Sequence, residues 1–298
     1  MSTLEKPGRR TVVKWALAST GLPIVSQALG AVAEGRAKPE DSGPRGGSSV
    51  TLSSGAQIYY LEDWFGEPWL DPEPVVFLHG DLEKGEIWYG WVPRMAQHYR
   101  LFRLDLPGFG RSTVPANFEW SLPNLARALG SFLDAVGVPS AHIIGAKTGG
   151  ALAMYFAATN PQRVRTLVVA SGPFSSVDPK MASSSQQVRL GSAASKEEME
   201  YFDKLRDATS METKRAVQSM NSSFNLDSLL PQISAPTLII TSDRSALQSV
   251  ETVLRSQTKL SHSRLLVLTS DAYHVAVAKA DECVSNVLAF IQETKQQA

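Results

Sequence analysis

The sequence predicts an α/β domain built on a mainly parallel sheet. Short apolar runs of strand length alternate with amphipathic helical stretches, and small-residue turns separate them. Pro74–Leu78, Arg100–Leu104, Ser140–Ile144, Val164–Ala170, Thr237–Thr241 and Arg264–Leu268 read as strands. Ser121–Val136 reads as a helix, because Leu122, Leu125, Leu129, Phe132, Leu133 and Val136 fall on one face at helical spacing. Ala151–Ala157 continues as a tightly packing helix that Asn160-Pro161 stops. Between Ala170 and Thr237 the chain is helical in character, with Lys196–Asp207, Met211–Met220 and Leu226–Leu230 as helices and a Ser183-Ser184-Ser185 break before them.

Four loops carry chemistry-bearing residues. His79-Gly80-Asp81 follows the first of these strands, and Asp105-Leu106-Pro107-Gly108-Phe109-Gly110 follows the second. Gly145-Ala146-Lys147-Thr148-Gly149-Gly150 joins the third strand to its helix, and His274 follows the last strand. The Gly145–Gly150 segment has the shape of a nucleophile elbow, a sharp strand-to-helix turn whose flanks must be small and whose tip is forced into the open. Lys147 stands at that tip, where a serine is expected. A shifted register with Thr148 at the tip also fits the spacing, but Gly149-Gly150-Ala151 aligns better with Lys147.

This order of motifs resembles the α/β-hydrolase superfamily, in particular its small esterases, epoxide hydrolases and haloperoxidase-like enzymes, over about residues 50–293. The resemblance implies a mostly parallel eight-stranded sheet with helices on both faces. It also implies a small helical cap inserted at about 173–230. It implies oxyanion-hole N–H groups from Asp81 and Thr148, and pocket positions at His79, Gly80 and Trp88. His274 matches the family's histidine. The acid position departs from the pattern: Ser245 stands where the aspartate is expected, and Asp243 is two residues early. The expected catalytic set is therefore Lys147, His274 and Asp243, and an ordinary serine-hydrolase mechanism is not expected.

A lysine at a helix start in a partly desolvated pocket is pushed toward its neutral amine. A neutral lysine can form a Schiff base with a carbonyl compound or act as a general base. Alternatively, Lys147 is a charged residue paired with Asp81, Asp105 or Glu83 in a catalytically dead site. The expected function is thus a hydrolase-like enzyme acting on a small carbonyl or ester compound. The alternatives are a non-catalytic ligand-binding or interaction protein, and a His274-dependent, cofactor-free lyase or oxygenase. No metal-ligand cluster, P-loop or dinucleotide fingerprint is present in the sequence, so neither a cofactor nor a metal is expected. His98, His142 and His262 carry no motif and read as surface or strand-end residues.

The N-terminal segment resembles a twin-arginine export signal. Arg9-Arg10 is followed by Lys14, a moderately apolar run from Trp15, and Ala31-Val32-Ala33 as a cleavage site. Residues 1–33 are expected to be the signal, which makes the export machinery a partner and the periplasm or exterior the destination. Ser19, Thr20, Pro23, Ser26 and Gln27 make the run a poor membrane span. Residues 34–49, rich in Gly, Ser, Pro and charge, read as a disordered linker. The chain has 29 basic and 29 acidic residues; 1–33 holds four and one of them, leaving 25 and 28, net −3. No basic stripe points to nucleic acid. Cys283 is the only cysteine, so no intrachain disulfide forms.

Overall fold

Central parallel strands are covered on both faces, so their sequences are mostly apolar rather than strictly alternating. The computed structural model, which describes residues 46–178, 184–207 and 209–297, shows this in β3 (Pro74–Leu78), β4 (Arg100–Leu104), β5 (Ala141–Ala146), β6 (Val164–Ala170) and β7 (Thr237–Ser242). With β1 (Gly47–Thr51), β2 (Gln57–Asp63) and β8 (Ser263–Leu268) they form one eight-stranded sheet in the order β1-β2-β4-β3-β5-β6-β7-β8. The β1–β2 and β2–β4 pairs are antiparallel, and the others are parallel.

Successive side chains of one strand point to opposite faces of a sheet, and two cores result. Val76 and Leu78 join one core with helices α2 (Leu122–Ala135) and α3 (Thr148–Thr159). Val75 and Phe77 join the other, with α1 (Val92–Met95) and the apolar side of the C-terminal helix, Cys283, Val287 and Ile291. Helix α2 begins where expected because the Ser121 hydroxyl accepts the Asn124 N–H at 3.3 Å and Pro123 sits in its first turn. Between β6 and β7 lie α4 (Gln186–Leu190), α5 (Lys196–Asp207) and α6 (Met211–Asn221).

Three expectations are corrected. The linker expected over 34–49 ends sooner, because Gly47–Ser49 already lie in β1, where Gly47 pairs with Leu61 and Ser49 with Tyr59. Leu226–Leu230 is not a helix; a turn there leads into a single 3₁₀ turn at Leu230–Gln232. His142 is not a surface residue but a buried one on β5. Its Nδ1 lies 2.8 Å from Thr166 Oγ1 and its Nε2 3.5 Å from Glu73 Oε2. Burial pushes its pKa down to about 4, against the pull of Glu73, so it is neutral at physiological pH. The export signal expected over 1–33 lies outside the described residues. Among the described residues no helix is long and apolar enough to cross a membrane.

Candidate active site

The C-terminal ends of parallel strands are where open α/β sheets bind their ligands, and the loops after β3, β5, β7 and β8 meet there. Lys147 ends the β5 turn with φ 54° and ψ −127°. A left-handed φ at a residue with a side chain costs about 1–3 kcal/mol and persists only where the surroundings impose it. Here the Lys147 N–H donates to the Ala170 carbonyl at 3.1 Å, and the Gly150 N–H donates to the Lys147 carbonyl at 2.9 Å. Lys147 is therefore the tip of the elbow, and Thr148 is the first residue of α3. Its N–H, in the first turn, has no acceptor within the helix.

The lysine stem folds back over Gly80. A Cβ built at Gly80 would come within 2.7 Å of the Lys147 Cβ and 2.9 Å of its Cδ, so only glycine admits this path. The ammonium then donates to Glu83 Oε1 at 2.7 Å and to the Asp81 carbonyl at 3.3 Å. Glu83 is 2% exposed and Lys147 8% exposed. The same Oε1 receives Arg189 Nη2 at 2.5 Å and lies 3.0 Å from His274 Nε2. Glu83 Oε2 accepts the Gly80 N–H at 3.0 Å. One buried carboxylate thus gathers Lys147, Arg189 and His274.

The electrostatics follow from this crowding. Burial alone would raise the Glu83 pKa, but the facing His274, Lys147 and Arg189 hold it well below the usual carboxylate range. Burial pushes His274 below the ordinary histidine range even with Glu83 beside it. The imidazole is then neutral at neutral pH, and Lys147 and Arg189 are left to balance the carboxylate. Burial, then Arg189, brings Lys147 down to about 8 against the opposing pull of Glu83 and Asp81. Asp81 is raised above its usual range by burial, although its carboxylate accepts hydrogen bonds from the Thr148 hydroxyl and the Asn221 amide.

These groups border a cavity of about 50 Å³, with Asp81, Lys147, Thr148, Arg189, Asn221 and Tyr273 in its wall. Lys147, Asp81 and Thr148 thus come together around one cavity. His274 is 1% exposed and reaches the cluster only by lying 3.0 Å from Glu83 through Nε2; neither ring nitrogen makes a hydrogen bond among the described residues.

The expectation of Asp243 as the acid behind His274 is corrected. Asp243 Oδ1 accepts the Ser270 N–H at 2.8 Å, and the Asp243 N–H donates to Leu268, which pins the residue to the end of β8. Ser245, at the expected acid position, accepts the Leu247 N–H in its own turn. The pocket placements of His79, Gly80 and Trp88 are corrected too. His79 is fully buried; its Nε2 accepts the Leu106 N–H at 2.9 Å and its Nδ1 lies 2.7 Å from the Gly80 carbonyl. That bridge ties the two loops together. Gly80 is covered by the lysine stem. Trp88 is buried against Phe77 and Trp91, with ring centroids 4.8 and 5.2 Å away, because the loop after β3 turns it into the apolar layer.

Of the three acids expected as partners for Lys147, Glu83 is the one paired with it, at 2.7 Å; that it also gathers Arg189 and His274 was not expected, nor were Arg189 and Asn221. Glu83 is the acid three residues beyond the His-Gly pair, and its burial was the missing information. Arg189 comes from a five-residue helix and Asn221 from the last turn of α6, neither of which carries a motif.

Comparison with known proteins agrees with this architecture. The family model described as alpha/beta hydrolase fold matches residues 73–196. A pimeloyl-[acyl-carrier protein] methyl ester esterase of Aeromonas hydrophila subsp. hydrophila is 39% identical over 100 residues, 33% of this chain and 38% of that protein. A haloalkane dehalogenase of Agrobacterium fabrum is 32% identical over 113 residues, 38% of this chain and 35% of the dehalogenase. The chain therefore spans well under half the length of these relatives. The enol-lactonase from Burkholderia xenovorans LB400 superposes with a TM-score of 0.74 at 17% identity, over 82% of this chain and 100% of the other. The chain has the α/β-hydrolase fold.

Proposed function

We propose that the chain is an exported hydrolase-superfamily enzyme acting on a small carbonyl or ester compound, with Lys147 and His274 in place of a Ser-His-Asp triad. The observation that carries this reading is the position of the Lys147 amine. It sits at the tip of a strained elbow, on the cavity wall, with a pKa of about 8. At pH 7 roughly one amine in ten is neutral. A neutral amine adds to an aldehyde or ketone and loses water to form an imine, which water later reverses. Direct attack on an ester would instead leave a stable amide, so with esters the amine serves as a base toward water. The Thr148 N–H at the helix start, with the Asp81 N–H of the loop facing it, would hold the oxygen as it gains charge.

The named activities of the relatives, methyl ester esterase and haloalkane dehalogenase, support hydrolase-class chemistry. A cavity of about 50 Å³ suits a small ligand. The reading is tested by reductive trapping of a small aldehyde or ketone together with ester turnover across pH: an adduct at Lys147, or ester turnover that rises through about pH 8 and is lost in Lys147→Ala, supports it, and the absence of both sinks it.

A second reading, a ligand-binding protein without turnover, draws on two observations: Lys147 is ion-paired with Glu83 at 2.7 Å, and His274 Nδ1 has no acid behind it. A lyase or oxygenase centred on His274 alone is disfavoured, because that residue is buried and absent from the cavity wall.

Export rests on the arginine pair and the apolar run that follows it. Replacing Arg9 and Arg10 together by lysine is expected to leave the precursor in the cytoplasm, because the pathway reads the pair as an address. Cell fractionation checks this; undiminished periplasmic accumulation of the double variant would exclude the assignment.

A further inference from the structure

We propose that Glu83 is the positioning carboxylate of this site, gathering Lys147, Arg189 and His274 on one oxygen in place of an acid at the end of β7. The inference rests on the reading of Lys147 as the working amine. Glu83 is 2% exposed, and the Gly80 N–H holds its Oε2 at 3.0 Å, which fixes the orientation of the carboxylate. Its Oε1 lies 2.7 Å from Lys147 Nζ, 2.5 Å from Arg189 Nη2 and 3.0 Å from His274 Nε2. An ionised carboxylate at that depth costs several kcal/mol unless it is paired. Neither residue near the expected acid position does this work, since Asp243 and Ser245 are engaged with the backbone of Ser270 and Leu247.

The placement has a chemical consequence. Glu83 aims the amine away from its ordinary solvated position and favours the ammonium, while Arg189 and burial favour the neutral amine. The charged and titratable groups around Lys147 come from several elements. Glu83 and Asp81 lie in the loop after β3, Arg189 in helix α4 and His274 in the loop after β8, with His79 behind the elbow. Glu83 therefore sets the pH at which the amine becomes reactive, and Arg189 opposes it.

An NMR titration of the full chain with ¹⁵N-labelled lysine tests this, the Lys147 Nζ signal being assigned by its loss in Lys147→Ala. Glu83→Gln is expected to lower the Lys147 midpoint by about one pH unit or more, and Arg189→Met to raise it. Glu83→Asp, which keeps the charge, should stay closer to the wild type. Simple loosening of the site would hydrate the amine and raise the midpoint in every variant, so the downward shift belongs to the positioning role. An unchanged or raised midpoint in Glu83→Gln overturns the proposal. Should Glu83→Gln fold poorly by circular dichroism, the double variant with Arg189→Met is compared with Arg189→Met alone. A lower midpoint in the double variant supports the proposal, and an equal or higher one overturns it. The titration needs no turnover, so it stands or falls separately from the carbonyl adduct at Lys147.

Discussion

Lys147→Ala is expected to abolish turnover of the carbonyl or ester substrate while leaving the fold in place. Lys147 lines the cavity, and its amine, held at about 8, can exchange a proton near neutral pH and also bond to carbon. Its removal takes away the nucleophile or base itself, so the loss should reach the assay floor rather than a few-fold. The fold should survive because Glu83 keeps Arg189 and the Gly80 N–H as partners when the ammonium is gone. Alanine also inherits the same left-handed backbone, so the strain at the tip is not much changed. The variant should differ in its pH dependence of stability. A lysine held at about 8 in the folded chain and near its ordinary 10.5 when unfolded binds fewer protons in the native state across that window. Native stability then rises with pH from 8 to 10.5, by up to about 3 kcal/mol relative to Lys147→Ala. Paired urea titrations of the two proteins at pH 7.5 and pH 10 measure that difference. Parallel curves with full activity in the variant would make Lys147 a bystander.

Gly149→Ala should do the opposite, removing structure rather than chemistry. A Cβ at Gly149 would stand 2.3 Å from the carbonyl oxygens of both Leu78 and His79. Neither oxygen can step aside, since one ends β3 and the other belongs to the loop that carries Gly80, Asp81 and Glu83. Relief requires α3 to move off the sheet, which opens the buried face formed by Leu152, Ala153 and Phe156. Overpacking of this kind costs about 3 kcal/mol or more when backbone is on both sides of the clash. Thermal unfolding and expression level report it. A variant with the wild-type midpoint would show that the elbow is looser than its contacts indicate.

The parts of the molecule that were legible from sequence are those where one physical signal dominates. β3 and β6 are buried on both faces, so Pro74–Leu78 and, apart from Arg165 and Thr166, Val164–Ala170 read as apolar runs with the observed bounds. The elbow was legible because close approach of α3 to the sheet leaves room only for glycine at its flanks. β1 and β2 were not read as strands: Gly47–Thr51 is half exposed at the sheet edge, and its order comes from pairing with β2 rather than from its own residues. The ion cluster was hidden for another reason. Glu83, Arg189 and His274 are far apart in the chain; His274 carried a motif and Glu83 was one of three acids that could pair with Lys147, but Arg189 alone looks like an ordinary surface residue. Only the fold buries them around one point. Asp243 misled in the reverse direction, a charged residue near the right place whose side chain is already engaged with Ser270.

Reductive trapping across pH tests the central claim most directly. The full chain is incubated with small aldehydes and ketones and cyanoborohydride from pH 6 to 10, and the modified residue is found by peptide mapping. An amine held at about 8 predicts an adduct confined to Lys147, with half-maximal formation near that pH and none in Lys147→Ala. No adduct at Lys147 at any pH, together with unchanged ligand binding in Lys147→Ala, would contradict a working lysine and leave a binding protein on this fold.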